Sequence, residues 1–158
     1  MSETIFARIR ELLDQHGIAY RVVEHAETFT SAESAAARGE ALSTGGKALL
    51  LKADDRFMLA VLSADRKLDS RALQRILGAR KMRFATREEL AAETGGLVPG
   101  SVPPFGEPIL SYPLYVDESI VGNERIAFNA ALLTRSIVMS TTDYLAVARP
   151  IIGRFSQE

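Results

Sequence analysis

The chain has 158 residues, of which 47% are hydrophobic and 25% charged, with a formal net charge of -1; this is ordinary globular composition, suited to one domain with a real core. Near-neutrality excludes a protein that coats nucleic acid or an anionic membrane through its overall field. The absence of cysteine excludes disulfides, thiolate catalysis and Cys-based zinc sites.

The first stretch, MSETIFARIRELLDQHG, carries charges throughout and lacks an apolar signal core, and no apolar run in the chain approaches the roughly 20 residues that span a bilayer. A cytoplasmic protein with no membrane partner is expected. Ile5, Phe6, Ile9, Leu12 and Leu13 recur at helical spacing, with a stop at His16-Gly17. YRVVEH (20–25) reads as a short strand. Thr30 and Glu33 stand in capping-box spacing at the head of an alanine-rich helix that ends at Gly39. KALLLKA and FMLAVL are two strong strands whose DDR connection predicts an antiparallel hairpin at the sheet centre. LDSRALQRILG is an amphipathic helix ending at Gly78, KMRFA a short strand, and Thr86 with Glu89 repeats the capping box for a helix through about Glu93. PLYVD, RIAFNA and SIVMS read as strands, and TTDYLAVA as a last helix stopped by Pro150. Hairpin strands among dispersed helices predict an α+β fold: a single domain over 1–158 with a mixed, largely antiparallel sheet.

Between the fourth helix and PLYVD lies TGGLVPGSVPPFG (94–106), with four glycines and three prolines in thirteen residues. Glycine permits close backbone approach and proline fixes φ, so the loop is shaped rather than floppy. It is either a ligand-contacting loop or a rigid connector.

Conventional catalytic groups are missing. ALSTGGKA fails as a phosphate-binding P-loop, because positions 41 and 48 are Ala where the motif needs Gly and a hydroxyl, and a strand follows instead of a helix. The two histidines, His16 and His25, lack a nucleophile-elbow context, and no His or carboxylate pairs show helical metal-ligand spacing. No metal or cofactor is expected. Lys47 begins the most hydrophobic strand and shares a face with Leu49 and Leu51, so its ammonium meets an anionic partner or emerges into water at the strand end. The eight cations from Arg66 to Arg87 are either phosphate contacts or a solvated helix face with strand ends.

GGKALLLK, the spacing to GGLVPGSVPPFG, and then YVDESI and RIAFNAALL resemble the YbaK/ProX superfamily, the aminoacyl-tRNA editing domains related to the insertion domain of bacterial prolyl-tRNA synthetases. The resemblance covers roughly residues 4 to 148, and its most specific part is the G-x-x-x-P motif of Gly100-Ser101-Val102-Pro103-Pro104. It implies a curved mixed sheet with flanking helices, and a trans-editing deacylase that hydrolyses the ester of a mischarged tRNA, with tRNA for proline as the expected type. The family's key lysine falls on Lys47 and its motif glycine on Gly100. On this basis Lys47, Gly100, Ser101 and Val102 are the expected catalytic residues, and Phe29, Thr30, Pro104 and Asn129 the expected substrate-binding residues. Because an aminoacyl ester is already activated, a backbone cradle can position ester and water without an acid–base pair. The expected partners are the acceptor end of mischarged tRNA and an aminoacyl-tRNA synthetase. The alternative is a noncatalytic module binding tRNA ends or a small ligand. Ala131 stands where relatives often carry Gly and Ala48 where editing members tend to be polar, which leaves the edited amino acid open. The tail IIGRFSQE shows apolar residues able to pack on the same chain or on a second copy.

Overall fold

The computed structural model describes residues 2–158. Its centre is the hairpin of β2 (Gly46–Ala53) and β3 (Arg56–Ser63), paired antiparallel from Gly46 opposite Ser63 to Ala53 opposite Arg56. Asp54 turns the chain with φ of 53°, a left-handed conformation that aspartate tolerates better than most residues. The Asp54 carboxylate accepts the backbone N–H groups of Arg80 and Lys81, which brings β5 (Met82–Phe84) alongside β2.

On the other side of the hairpin the pairing becomes parallel. β6 (Leu114–Asp117) lies along β3, and β9 (Ile151–Gly153) along β6, giving the order β5-β2-β3-β6-β9. A second, antiparallel sheet orders β1 (Tyr20–Glu24), β8 (Arg135–Ser140) and β7 (Arg125–Leu132) as β1-β8-β7. The mixed, largely antiparallel character expected from the sequence is therefore spread over two main sheets. They meet at Gly45-Gly46, where Gly45 bridges Ala127 and a Cβ on Gly46 would stand 2.8 Å from the Ile126 side chain. Only glycine permits that approach.

Period-2 alternation sends the faces of the hairpin into two cores. Leu50, Leu59 and Val61 join the larger one with Ile5, Phe6, Ile9, Leu12 and Leu13 of α1 (Ser2–Gln15), while Leu51, Met58 and Ala60 pack with Leu73 of α3 (Ser70–Leu77) and Phe155. Each such fully buried side chain contributes roughly 1.5–3 kcal/mol. Helix ends follow local chemistry. Thr30 and Glu33 close a capping box on α2 (Ser31–Arg38), Thr86 and Glu89 another on α4 (Arg87–Thr94), and Gly39, Gly78 and Gly95 take left-handed C-terminal positions. After the short α5 (Glu118–Val121), α6 (Thr141–Ala148) ends at Arg149, just before Pro150.

The tail folds back on its own chain. Phe155 is fully buried, although Ile151 and Ile152 stay about half exposed, and β10 (Ser156–Gln157) pairs with β4 (Lys67–Leu68). Asp117, at the end of β6 and fully buried, accepts from the backbone N–H of Phe155 at 2.6 Å, Ser156 Oγ at 2.7 Å and the N–H of Ser119 at 2.9 Å. Burial pushes this carboxyl up, but the hydrogen bonds outweigh it and hold it below the ordinary aspartate range.

Candidate active site

At the open end of the central hairpin the two sheets, the start of α2 and the glycine–proline loop enclose a cleft of about 740 Å³. Lys47, Gly100, Val102, Phe29, Thr30 and Asn129, six of the eight residues expected at the site, line it. Ser101 and Pro104 do not.

The loop is held from beneath. The N–H of Ser101 donates to the Val98 carbonyl, and its hydroxyl both donates to that carbonyl at 2.8 Å and accepts the Val98 N–H at 3.1 Å. Ser101 is 1% exposed, so its hydroxyl closes a turn instead of facing the cleft. Pro103 and Pro104 are buried, and the Pro104 carbonyl accepts from the Tyr144 hydroxyl at 2.6 Å. Phe105 then packs edge-to-face on Phe128 and Tyr144. Pro104 thus anchors the loop to α6 and has no place in the cleft wall.

From the side, the bulge in β7 between Asn129 and Leu132 fastens the loop. Asn129 Nδ2 donates to the Gly100 carbonyl at 2.8 Å, and the Ala131 N–H donates to the Ser101 carbonyl at 3.0 Å. Ala131 sits at φ of 73° and Gly100 at 88°, the first an uncommon position for a residue with a Cβ. A Cβ on Gly100 would meet only Leu133, at 3.6 Å, so the constraint there is conformational. With the Gly100 and Ser101 carbonyls taken, the N–H groups of Gly100 and Val102 are left with no hydrogen-bond acceptor among the described residues. Among the main-chain groups of 100–102, those two N–H donors and the Val102 carbonyl are thus left for a ligand among the described residues.

Lys47 lines the same cleft, half-buried, its Nζ donating to the Arg66 carbonyl at 2.5 Å. Burial lowers its pKa, and nearby Asp65 partly offsets this. Among the described residues a neutral carbonyl is its one hydrogen-bond partner, and no carboxylate pairs with it directly. Of the basic segment 66–87, only Arg66, through its carbonyl, and Arg87, on the wall, bear on the cleft. The Arg66 guanidinium binds Ser156, and Arg83 makes a two-pronged ion pair with Glu89.

Sequence reasoning missed the polar floor. Thr28 and Ser34, both buried, share a hydrogen bond at 2.8 Å. Arg38, the last residue of α2, is 7% exposed and lines the cleft, bonded to Ser136 and Asn129. His25 Nε2 lies 2.8 Å from Ser136 Oγ. In the sequence Arg38 looks like any cation in the last turn of a helix, a common surface feature. Its partners lie 98 and 91 positions away. No cluster of three or more metal-ligating side chains occurs among the described residues, and no described helix is long and apolar enough to cross a membrane.

The chain is 33% identical over 156 residues to the multifunctional Ser/Thr-tRNA deacylase ProXp-y of Escherichia coli, covering 94% of this chain and 90% of that one. It is 36% identical over 104 residues to a proline–tRNA ligase of Shouchella clausii, covering 66% of this chain but 18% of the ligase. A crystal structure described as a candidate trans-editing enzyme for prolyl-tRNA synthetase superposes with a TM-score of 0.84 at 25% identity, over 98% of both chains. Residues 25–147 match the family described as the aminoacyl-tRNA editing domain, and the chain belongs to that family.

Proposed function

We propose that this editing deacylase removes serine or threonine from mischarged tRNA, with the ester positioned by main-chain groups and not by a side-chain acid–base pair. The observation that carries the reading is the convergence of Lys47 and the two unspent N–H donors, of Gly100 and Val102, on one cleft. The choice of amino acid is supported by the Ser/Thr-tRNA deacylase relative and by the hydroxyl and amide groups of Thr28, Ser34 and Asn129 in the wall.

An aminoacyl ester needs no strong nucleophile beyond water. Rate comes from fixing water and ester at attack distance and from donors aimed at the oxygen on which charge develops. In this reading the Gly100 and Val102 N–H groups serve that oxygen, and Lys47 holds the phosphodiester of the terminal adenosine or the ester region. The substrate's own ribose hydroxyl or amino group takes part in proton transfer. Phe29, 75% exposed at the mouth, and Thr30 and Asn129 bound the amino acid. Ser101 and Pro104 support the cradle from beneath.

The whole chain acts in this reading as one editing domain, in the cytoplasm, on the acceptor end of the tRNA. The match to a proline–tRNA ligase supports tRNA for proline as the carrier and its synthetase as the enzyme whose errors are corrected. The test is to incubate pure protein with seryl, threonyl, alanyl and cysteinyl esters of tRNA for proline and to follow released amino acid. Release of serine or threonine ahead of the others is expected. Binding without turnover across the panel would instead favour a noncatalytic module.

A further inference from the structure

The geometry points to Arg38 as a positioning residue that holds the catalytic loop in place through Asn129. Arg38 Nε donates to Ser136 Oγ at 2.9 Å and its Nη2 to Asn129 Oδ1 at 3.1 Å, while Ser136 Oγ also donates to Asn129 Oδ1, at 3.1 Å. A carboxamide has an accepting end and a donating end. With two donors fixed on Oδ1, the amide of Asn129 has one orientation, and Nδ2 is directed to the Gly100 carbonyl at 2.8 Å. A flipped amide would set NH2 against the guanidinium and oxygen against the carbonyl of Gly100. Arg38 therefore reaches the cradle in two hydrogen bonds, and the Ala131 N–H on the Ser101 carbonyl secures the next peptide.

The cost of this arrangement is visible. Arg38 is 7% exposed, and burial, partly offset by Glu40, draws its pKa down to about 10. No carboxylate bonds it among the described residues; the Glu40 carboxylate is held by Arg21 and Arg125. Burying a cation without a bonded counter-ion is unfavourable for folding, so a polar network that keeps it is expected to serve specificity of structure at the site.

The effect on turnover rests on the deacylase reading, whereas the effect on the loop does not. The experiment therefore has two arms, on Arg38→Met and Asn129→Asp in the full chain. In the first, NMR follows the Asn129 side-chain amide and the exchange of the Ala131 N–H with solvent. Arg38→Met is expected to move the Asn129 amide signals toward solvent-exposed values and to raise Ala131 exchange about tenfold or more. In the second arm, on seryl-tRNA, Arg38→Met is expected to lower kcat roughly 10- to 100-fold, as for a misplaced reactive group, with KM within about twofold. Asn129→Asp separates stability from positioning. Its carboxylate gains an ion pair with Arg38, so the unfolding midpoint is maintained or raised, but it opposes the Gly100 carbonyl and kcat falls to a similar extent.

Unchanged Asn129 signals in Arg38→Met, or a change in KM alone, would overturn the inference. If Arg38→Met does not fold, Asn129→Asp decides, and full kcat there refutes it. If the wild type releases no amino acid from any ester, the deacylase reading fails and the NMR arm alone judges Arg38.

Discussion

Lys47 concentrates the functional argument in one side chain. It is half-buried at the end of a strand and hydrogen-bonds the Arg66 carbonyl, so its removal takes away charge and little core volume. Lys47→Ala is expected to abolish deacylation with the melting temperature within about 5 °C of wild type; calorimetry beside a turnover assay checks both halves. Because burial lowers the pKa of Lys47 and its proposed contact with the substrate needs the cationic form, activity should decline on the alkaline side before an ordinary lysine would lose its proton. That Lys47 lines the cleft was legible through the family resemblance alone, because its place at the start of an apolar strand left open an anionic partner or emergence into water. That Ser101 is a strut was not, because its hydroxyl is assigned by a turn geometry that leaves no mark on composition.

At the scale of elements, most boundaries were legible because they are set by neighbours in sequence. The two capping boxes and the left-handed glycines at the ends of α2, α3 and α4 fall where the residues placed them. Glu89 joins such a box to β5, and its pKa is lowered to about 2, first by the hydrogen bond from Arg83 and then by the Thr86 N–H. A lowered carboxylate contributes above its unfolded pKa and loses that contribution as pH falls toward the folded value. Urea midpoints of wild type and Glu89→Gln should therefore differ at neutral pH and converge as pH is lowered toward 2. Elements that depend on distant partners were less legible. β9 is a three-residue parallel edge whose neighbour lies in another part of the chain, and no local period announces it. The Gly45-Gly46 pair, which invites comparison with a phosphate loop, is instead where the sheets touch. Gly46→Ala is expected to cost about 1–3 kcal/mol by overpacking against Ile126, and Ile126→Val in the same chain should recover part of it, as read from a denaturation double-mutant cycle.

Across the whole molecule, the tail and the cleft depend on the same central sheet and meet at Arg66, whose carbonyl accepts from Lys47 and whose guanidinium binds Ser156. Asp117 gathers Phe155, Ser156 and Ser119, so Asp117→Ala leaves a buried N–H unpaired and frees the strand that covers the smaller core. A loss of about 2–4 kcal/mol is expected in urea unfolding at neutral pH. Since this carboxyl is held below its ordinary range, the difference from wild type should shrink as pH falls through that range. The family and its chemistry were legible from the spacing of Lys47 and the 100–104 motif. The polar network of Arg38, Ser136 and His25 was not, because it forms only when α2, β8 and the end of β1 are packed together.

The central claim is that a main-chain cradle beside one ammonium group performs the hydrolysis. Single-turnover deacylation of seryl-tRNA by wild type, Ser101→Ala and Gly100→Val tests it most directly. The account predicts that Ser101→Ala, though less stable by about 1–3 kcal/mol for its lost buried hydrogen bonds, retains turnover, while Gly100→Val, forced out of its left-handed conformation, loses it. A folded Ser101→Ala that is inert beside an active Gly100→Val would contradict the account and establish the serine hydroxyl as the reacting group.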